Sequence, residues 1–548
     1  MRSLEERRKA LKKAHPVWET MTLYQRFFKT EEACPDHVCF VDGQEYSYRQ
    51  IGRMVRQAAA ALERLGVSPG DCVAVMLGNR VEFLAITFAL AKIGAVKVPV
   101  NKSAGAEELA YILEQTKAKV LAAEASEHHT WKEYEGLSHV ICLPPWEDRE
   151  GQGISWDAFL ALGEGRESRL WEDGLSLSDI IYTSGSTGKP KGVMLTHDML
   201  LRSAYASCIN RGYEEGRRIY VPLPLFHVYG YVEGLLASVI VAGCILVKRG
   251  KFQAETALQF MQDQKANDIL SVPFMMMKLL QCPTLEAYDL SSLYAVYCSA
   301  SVCPKWVWSQ LRTRLGAEEV VTGYGMTEVA GASMQTDPYD GTEILEGRVG
   351  KILEGGCAGE AKLHGAIIEY RVIDGATGLD MPPKEYGELI CRGPVVTQGY
   401  YQFAEATANA VDAQGWLHTG DVGYFDENGY LRYLGRCNDI YKINGENVSP
   451  QFLDRVISKC EAVSAVETVG VPDEELGWVG AAFVELKDPS LDAERQVKEY
   501  CRETLAAFQV PKYFFFTESS TWPHTSTGKV QKFKLRELAK KRMEDGDG

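Results

Sequence analysis

The chain has no CxxC pair among its fourteen cysteines, no apolar run of membrane-spanning length, and fewer basic than acidic residues, 59 Lys and Arg against 74 Asp and Glu. Each shortage removes a class of protein. Without closely spaced cysteines, zinc ribbons and dithiol redox centres are excluded, and Cys72, Cys142 and Cys244, set in apolar runs, read as reduced core thiols of a reducing, cytoplasmic compartment. The most apolar stretch, residues 235–247, is broken by Ser238 and Gly243 and stops at Lys248, short of the roughly 18 residues that cross a bilayer. The opening MRSLEERRKALKK mixes both charges and has no apolar h-region, so a secretory signal is not expected and a frayed or amphipathic helix without inferable chemistry is. A formal net charge of -15 argues against a broad nucleic-acid surface but leaves room for a local pocket that binds a polyanion. There is no internal repeat and no long low-complexity tract, and nothing sets an oligomeric state.

What is present is ordinary in bulk and unusual in places. A length of 548 residues is too much for one core and predicts two to four domains or subdomains. Hydrophobic residues at 46% and charged residues at 24% place the chain among globular proteins. Helical spacing at 46–65, an apolar strand at 71–77, a helix at 80–92 and a strand at 95–100 alternate as an α/β layer architecture does. Residues 118–174 are weakly patterned, and 146–153 read as a surface loop. Turn residues at 374–378, 387, 412–415 and 426–429 predict short strands of a β-rich subdomain. After Gly435 the α/β pattern returns, with helices at 450–460 and 493–507 and strands at 465–471 and 481–486.

The most informative stretch is residues 181–193, IYTSGSTGKPKGV. Of the ten residues 183–192, eight are Gly, Ser, Thr or Pro and two are Lys, so the segment cannot be core. Short apolar runs on both sides predict that it links two strands. Gly185, Gly188 and Gly192 let backbone N–H groups approach an anion. Thr183, Ser184, Ser186 and Thr187 add hydroxyls, and Lys189 and Lys191 add charge. A plain surface hairpin would have the same composition. A Walker A loop would not, because it needs Ser or Thr directly after Gly-Lys, and here Pro190 follows Lys189.

The string YTSGSTGKPKG resembles the phosphate loop of the adenylate-forming superfamily: acyl-CoA synthetases, firefly-type luciferases and the adenylation domains of peptide synthetases. Five further blocks stand in that family's order, and the resemblance runs from about Thr22 to Arg536. In VTGYGMTE, residues 321–328, it implies that Tyr324 and Gly325 border adenine, Thr327 reaches the α-phosphate and Glu328 holds Mg²⁺, with Thr187 as a second ligand. A hard divalent ion on ATP asks for such a carboxylate, although a lone Glu is ordinarily a surface residue. In GWLHTGDVG, residues 415–423, Asp421 would accept both ribose hydroxyls; taken alone it would cap a turn. Arg436 resembles the family's ribose- and phosphate-facing arginine, a residue whose donor fork Lys lacks. Asn438 stands where the family has a hinge Asp or Lys, and tolerates the unusual backbone angles of a pivot. YKINGENVSP, residues 441–450, implies coenzyme A contacts at Lys442 and Gly445.

Lys529, in PHTSTGKVQK, matches the family's catalytic lysine. An ammonium there offsets the repulsion between a carboxylate and the α-phosphate it attacks. Lys532, Lys534, Lys540 and Lys541 read as solvated. His227, in PLFHVYG, resembles the gate of the acyl pocket; the competing reading is a core histidine bonded to a carbonyl. Tyr229, Val272, Phe274 and Gly323 complete that pocket. No Asp lies between Gly216 and Gly250, which argues against an amino-acid substrate and toward an aromatic or medium-chain carboxylate. Ser299, in Cys298-Ser299-Ala300-Ser301, falls where the family tends to a glycine-rich loop, and the bulkier residues narrow the cleft.

The resemblance thus implies an α/β fold with a large N-terminal domain (1–435) of layered α/β subdomains and a β-rich subdomain, and a small mobile C-terminal lid (436–548). The implied activity is ATP- and Mg²⁺-dependent conversion of a small carboxylic acid to an acyl-adenylate and then to its coenzyme A thioester. A carrier-protein phosphopantetheine as acceptor and a non-enzymatic nucleotide or acyl-adenylate binder are the competing readings.

Overall fold

The computed structural model describes residues 2–124, 134, 136–144, 153–183, 190–301, 303–443, 446–473, 477–525 and 529–544. Two seven-stranded, mostly parallel sheets form the bulk of it. The first runs in the order Ile154–Ser155, His139–Leu143, Val120–Glu124, Cys72–Met76, Val96–Pro99, Leu177–Thr183, Lys191–Thr196. Its central strands are buried throughout, as strands covered on both faces must be. That also explains why residues 118–174 look unpatterned in sequence: Val120–Glu124 and His139–Leu143 are short, mostly apolar runs without alternation, and with the two-residue Ile154–Ser155 they extend this sheet. The second sheet runs Glu319–Val321, Ala295–Cys298, Asp268–Ser271, Arg218–Tyr220, Cys244–Leu246, Val38–Val41, Glu45–Ser47. Helices Tyr48–Arg64, Val81–Ile93 and His197–Arg211 contribute to one core shared by the two sheets.

The last two strands of the first sheet are antiparallel, with Tyr182 opposite Gly192 and Thr183 opposite Lys191. The glycine-rich segment is therefore a strand-to-strand connection, as its flanks predict; residues 184–189, which include Ser184, Gly185, Ser186, Thr187, Gly188 and Lys189, lie outside the described residues. The strand entering it is anchored by a buried ion pair, Lys97 Nζ to Asp179 Oδ1 at 3.0 Å. Burial lowers the Lys97 ammonium to about 8 against the pull of Asp179.

Antiparallel sheets follow. Gly323–Met326, Gly331–Gln335 and Lys351–Ile352 form one; Glu369–Ile373, Gly387–Arg392, Leu417–Phe425 and Leu431–Arg436 form another. They are the β-rich part that the turn residues predict. Beyond Arg436 come the hairpin Tyr441–Ile443 and Glu446–Val448, helix Pro450–Ile457, the sheet Val463–Asp473, Gly477–Leu486, Tyr513–Phe516, and helix Lys532–Glu544.

Two expectations are corrected. The amino-terminal segment is neither frayed nor idle: helix Leu4–Ala14 is capped by Ser3 and Glu6, and its buried Arg7 pairs with Glu319 and with Glu214. Lys532 is not solvated; its side chain is 14% exposed and bonds Asp454 Oδ2 at 2.8 Å, Thr468 O at 3.1 Å and Glu467 Oε2 at 3.1 Å. All fourteen cysteines are free thiols, and among the described residues no helix is long and apolar enough to cross a membrane.

Candidate active site

Three adjacent parallel strands of the second sheet, Asp268–Ser271, Ala295–Cys298 and Glu319–Val321, end at one cleft. Just past their carboxyl ends lie Val272, Ser299 and Gly323, the position where open α/β sheets bind ligands. Tyr229 ties two of these ends together, its hydroxyl lying 3.0 Å from Ser271 O and 2.9 Å from Tyr297 O. Ser299 donates to Gly323 O at 2.7 Å. The next residue, Ala300, has φ +79, a left-handed conformation that favours glycine and costs an alanine about 1 kcal/mol. Gly325 is required by space: a Cβ there would meet Gly331 O at 2.0 Å.

Tyr324 and Asp421 come from different sheets and meet across the cleft, Tyr324 Oη donating to Asp421 Oδ2 at 2.6 Å. Asp421 is 2% exposed. Its Oδ1 takes the Tyr433 hydroxyl at 3.2 Å and the Arg436 Nε at 2.8 Å, Arg436 being its register partner in the sheet. Burial pushes the Tyr324 hydroxyl well above its usual range, helped by the Asp421 charge, so it stays a donor.

Tyr400 joins two predicted groups. Its hydroxyl donates to Glu328 Oε1 at 3.0 Å, and the Lys191 ammonium lies 5.1 Å from the centre of its ring. Backbone bonds hold the arrangement: Tyr401 N to Gly192 O at 2.8 Å and Thr397 N to Glu328 O at 2.8 Å. Thr327 beside them is buried, and Thr183 Oγ1 faces Lys191 O at 3.5 Å.

Lys529 reaches this cleft from the C-terminal part. Its amide bonds Thr525 Oγ1 at 3.1 Å. Solvent reaches its side chain, yet surrounding protein lowers its pKa, as does the Arg436 guanidinium, while Asp421 opposes them. His227, half-buried, accepts the Tyr229 N–H on Nδ1 at 3.2 Å. Burial first, then the Lys529 charge, pushes its imidazole down to about 4, so it is neutral near pH 7.

The remaining predicted residues fall at the edges. Asn438 is exposed in a turn closed by Asp439 N to Arg436 O at 3.0 Å. Lys442 is exposed on its hairpin; Gly445 lies outside the described residues. Phe274 stands on helix Pro273–Leu280 with its ring 5.9 Å from that of His524, so it borders the C-terminal part.

The family model of the AMP-binding enzyme matches residues 27–401, and that of the AMP-binding enzyme C-terminal domain matches residues 453–529. The chain belongs to the AMP-binding enzyme family. Within it, YngI of Bacillus subtilis (strain 168), which carries acyl-CoA synthetase as a provisional name, is 34% identical over 542 residues, covering 93% of this chain and 95% of its own. The medium-chain fatty-acid–CoA ligase of Escherichia coli (strain K12) is 28% identical over 555 residues, covering 99% and 94%. Among solved structures, the anthranilate CoA ligase AuaEII in complex with anthranoyl-AMP superposes with a TM-score of 0.86 over 96% of this chain and 99% of its own, at 24% identity; at that identity the likeness speaks for the fold alone.

Three residues of this AMP-binding enzyme escaped the sequence reading. Tyr400 and Tyr433 sit in short runs with no local signal, and only strand pairing brings them to Glu328 and Asp421. Glu233 is the third. It lies where no Asp was found, inside the π-helical turn Tyr231–Leu236, and its carboxylate takes Ser207 Oγ, Ala332 N at 3.1 Å and Gln335 Nε2 at 3.1 Å. Burial raises its pKa against the pull of Arg211. At 1% exposure and held by these donors, it is kept inside the fold.

Proposed function

We propose that the chain is an AMP-forming acid–CoA ligase. The carboxylate oxygen of a small acid attacks the α-phosphorus of ATP, the bond to the β-phosphate oxygen breaks, and pyrophosphate leaves. The coenzyme A sulfur then attacks the acyl carbon, AMP departs with its phosphate oxygen, and the thiol proton goes to solvent. The observation that carries this reading is the convergence of Lys529, Arg436 and Asp421 on the cleft that Lys191 and Glu328 border.

The proposed division of labour is as follows. Asp421 is fixed by three donors and presents its carboxylate to the ribose hydroxyls, while Tyr324 lines the adenine. The 183–191 connection and Lys191 hold the phosphates, and Thr327 borders the α-phosphate. Lys529 balances the charge that accumulates on the α-phosphoryl oxygens in the transition state. The neutral His227, with Tyr229, Val272 and Gly323, forms an uncharged pocket. With Glu233 locked in its own network, an apolar aromatic or medium-chain carboxylate fits best, in keeping with the name of the Escherichia coli relative.

Mg²⁺ suits the donors present: Glu328 offers a hard carboxylate oxygen beside the phosphate connection, with Oε1 fixed by Tyr400. Bound with ATP, the ion would neutralise phosphate charge; Glu328 would hold it, with Thr187. The domain boundary is assigned at 435/436 with Asn438 as hinge, and Lys442 with Gly445 serves coenzyme A. Fourteen free thiols support a reducing, cytoplasmic setting.

The test is ATP–pyrophosphate exchange with a panel of acids, followed by AMP release with coenzyme A or a phosphopantetheine-loaded carrier. Exchange lost in Lys529→Ala and AMP release with coenzyme A support the reading. Parent-rate exchange in that variant, or AMP release with the carrier alone, overturns it.

A further inference from the structure

We propose that the contact between Phe274 and His524 is a latch that seats Lys529 for adenylate formation, which makes Phe274 a positioning residue for the first half-reaction. The inference rests on the ligase reading above and concerns a part of it that no phosphate or acid contact supplies: what fixes the lid when it is closed.

Helix Pro273–Leu280 buries Met276, Leu279 and Leu280 inward and leaves Phe274 half-buried at the seam. There its ring meets the imidazole of His524 at 5.9 Å and 43°, an ordinary distance and tilt for an aromatic pair. His524 is not a bystander on the C-terminal side. It is the bridge partner of Val530, and Thr525 N bonds Lys529 O at 2.7 Å while Lys529 N bonds Thr525 Oγ1 at 3.1 Å. A displacement of His524 is therefore transmitted to Lys529 through the backbone and Thr525 side-chain hydrogen bonds of this turn.

The apolar cluster of the second sheet runs without a break across this seam, from Met277 through Phe274 and Val530 to Trp522. Gln281 Nε2 adds one polar tie, to Ser464 Oγ at 3.3 Å. Packing is incomplete: a half-open pocket lined by Phe274, Met277, Asp454, Ala465 and His524 lies between the two sides. Among the described residues, this patch, held by an aromatic pair and a long hydrogen bond beside a half-open pocket, suits a contact made in one half-reaction and released in the other.

A double-mutant cycle tests this. Phe274→Ala and His524→Ala are each expected to lower the exchange kcat about tenfold, and the double variant no further than the worse single one, as contacting residues behave. Thioester formation from supplied acyl-adenylate should stay at the parent rate, and Phe274→Tyr should restore exchange. Losses that multiply, a raised KM for the acid uncoupled from His524, or an equal fall in both half-reactions would overturn the latch while leaving the ligase reading intact. A parent chain without exchange would overturn the ligase reading itself and the latch with it.

Discussion

Tyr324 donates its hydroxyl hydrogen bond to Asp421 Oδ2 at 2.6 Å between two separate sheets, so in the proposed function the residue assigned to adenine also orients the carboxylate assigned to the ribose. Tyr324→Phe keeps the ring and removes the donor. A hydrogen bond to a charged group is worth about 1.5–3 kcal/mol, but Tyr433 and Arg436 still hold Oδ1. The expected result is a KM for ATP raised about tenfold with little change in the exchange kcat. Asp421→Ala should lose at least as much in kcat/KM, and steady-state exchange over an ATP series separates the two.

Lys529 makes a pH prediction. The protein packed around it and the Arg436 charge lower its pKa, so it sheds its proton at a lower pH than an ordinary lysine. If exchange uses the ammonium as proposed, the alkaline limb of its pH profile should fall below the usual lysine range. Lys529→Arg cannot deprotonate in that range, and whatever exchange it retains should lack the limb. A limb that persists in the Arg variant would assign it to another group.

The legible parts of this molecule were those in which composition leaves a segment one option. Residues 183–192 have nothing to bury, and the strand-like runs on either side left only a connection between strands. Asp421, Glu328 and Lys529 were singled out through motifs alone, since each is an unremarkable surface type by itself. What stayed hidden depends on pairing between distant segments. Tyr433 matters because its strand lies beside that of Asp421, and Tyr400 because Val193 bridges to it. Arg7 looked like one charge among several until Glu319, 312 positions away, met it. The same holds for Phe274, whose ring borders the lid, a relation no local pattern records.

Lys532 carries the third prediction. Its ammonium lies between Asp454 and Glu467, whose charges hold its pKa up against the cost of burial. Removing one partner of a buried ionic cluster leaves uncompensated charge and costs about 3–5 kcal/mol. Lys532→Met should therefore destabilise the C-terminal part by that amount in urea unfolding, with limited proteolysis locating the weakened segment beyond Arg436. Nucleotide binding by the rest of the chain should survive. If the cluster is a spectator, the variant unfolds with the parent.

The last prediction concerns acid stability. His197 opens helix His197–Arg211 fully buried; Nδ1 takes the Leu23 N–H at 3.4 Å, and Nε2 meets no hydrogen-bond partner among the described residues. Burial, and then the Lys97 charge, pushes its pKa down to about 3 from 6.5. The folded state thus keeps it neutral at pH values where the unfolded chain protonates it. Its contribution to stability is present above pH 6.5 and is lost progressively as the pH falls toward 3. Between about pH 7 and about pH 5 a single such group removes about 2 kcal/mol. His197→Leu lacks the proton site, so whatever its stability at neutral pH, it should lose about 2 kcal/mol less than the parent over that interval. Urea unfolding of both proteins at the two pH values measures the difference, and a gap that stays constant would mean that His197 is protonated alike in both states.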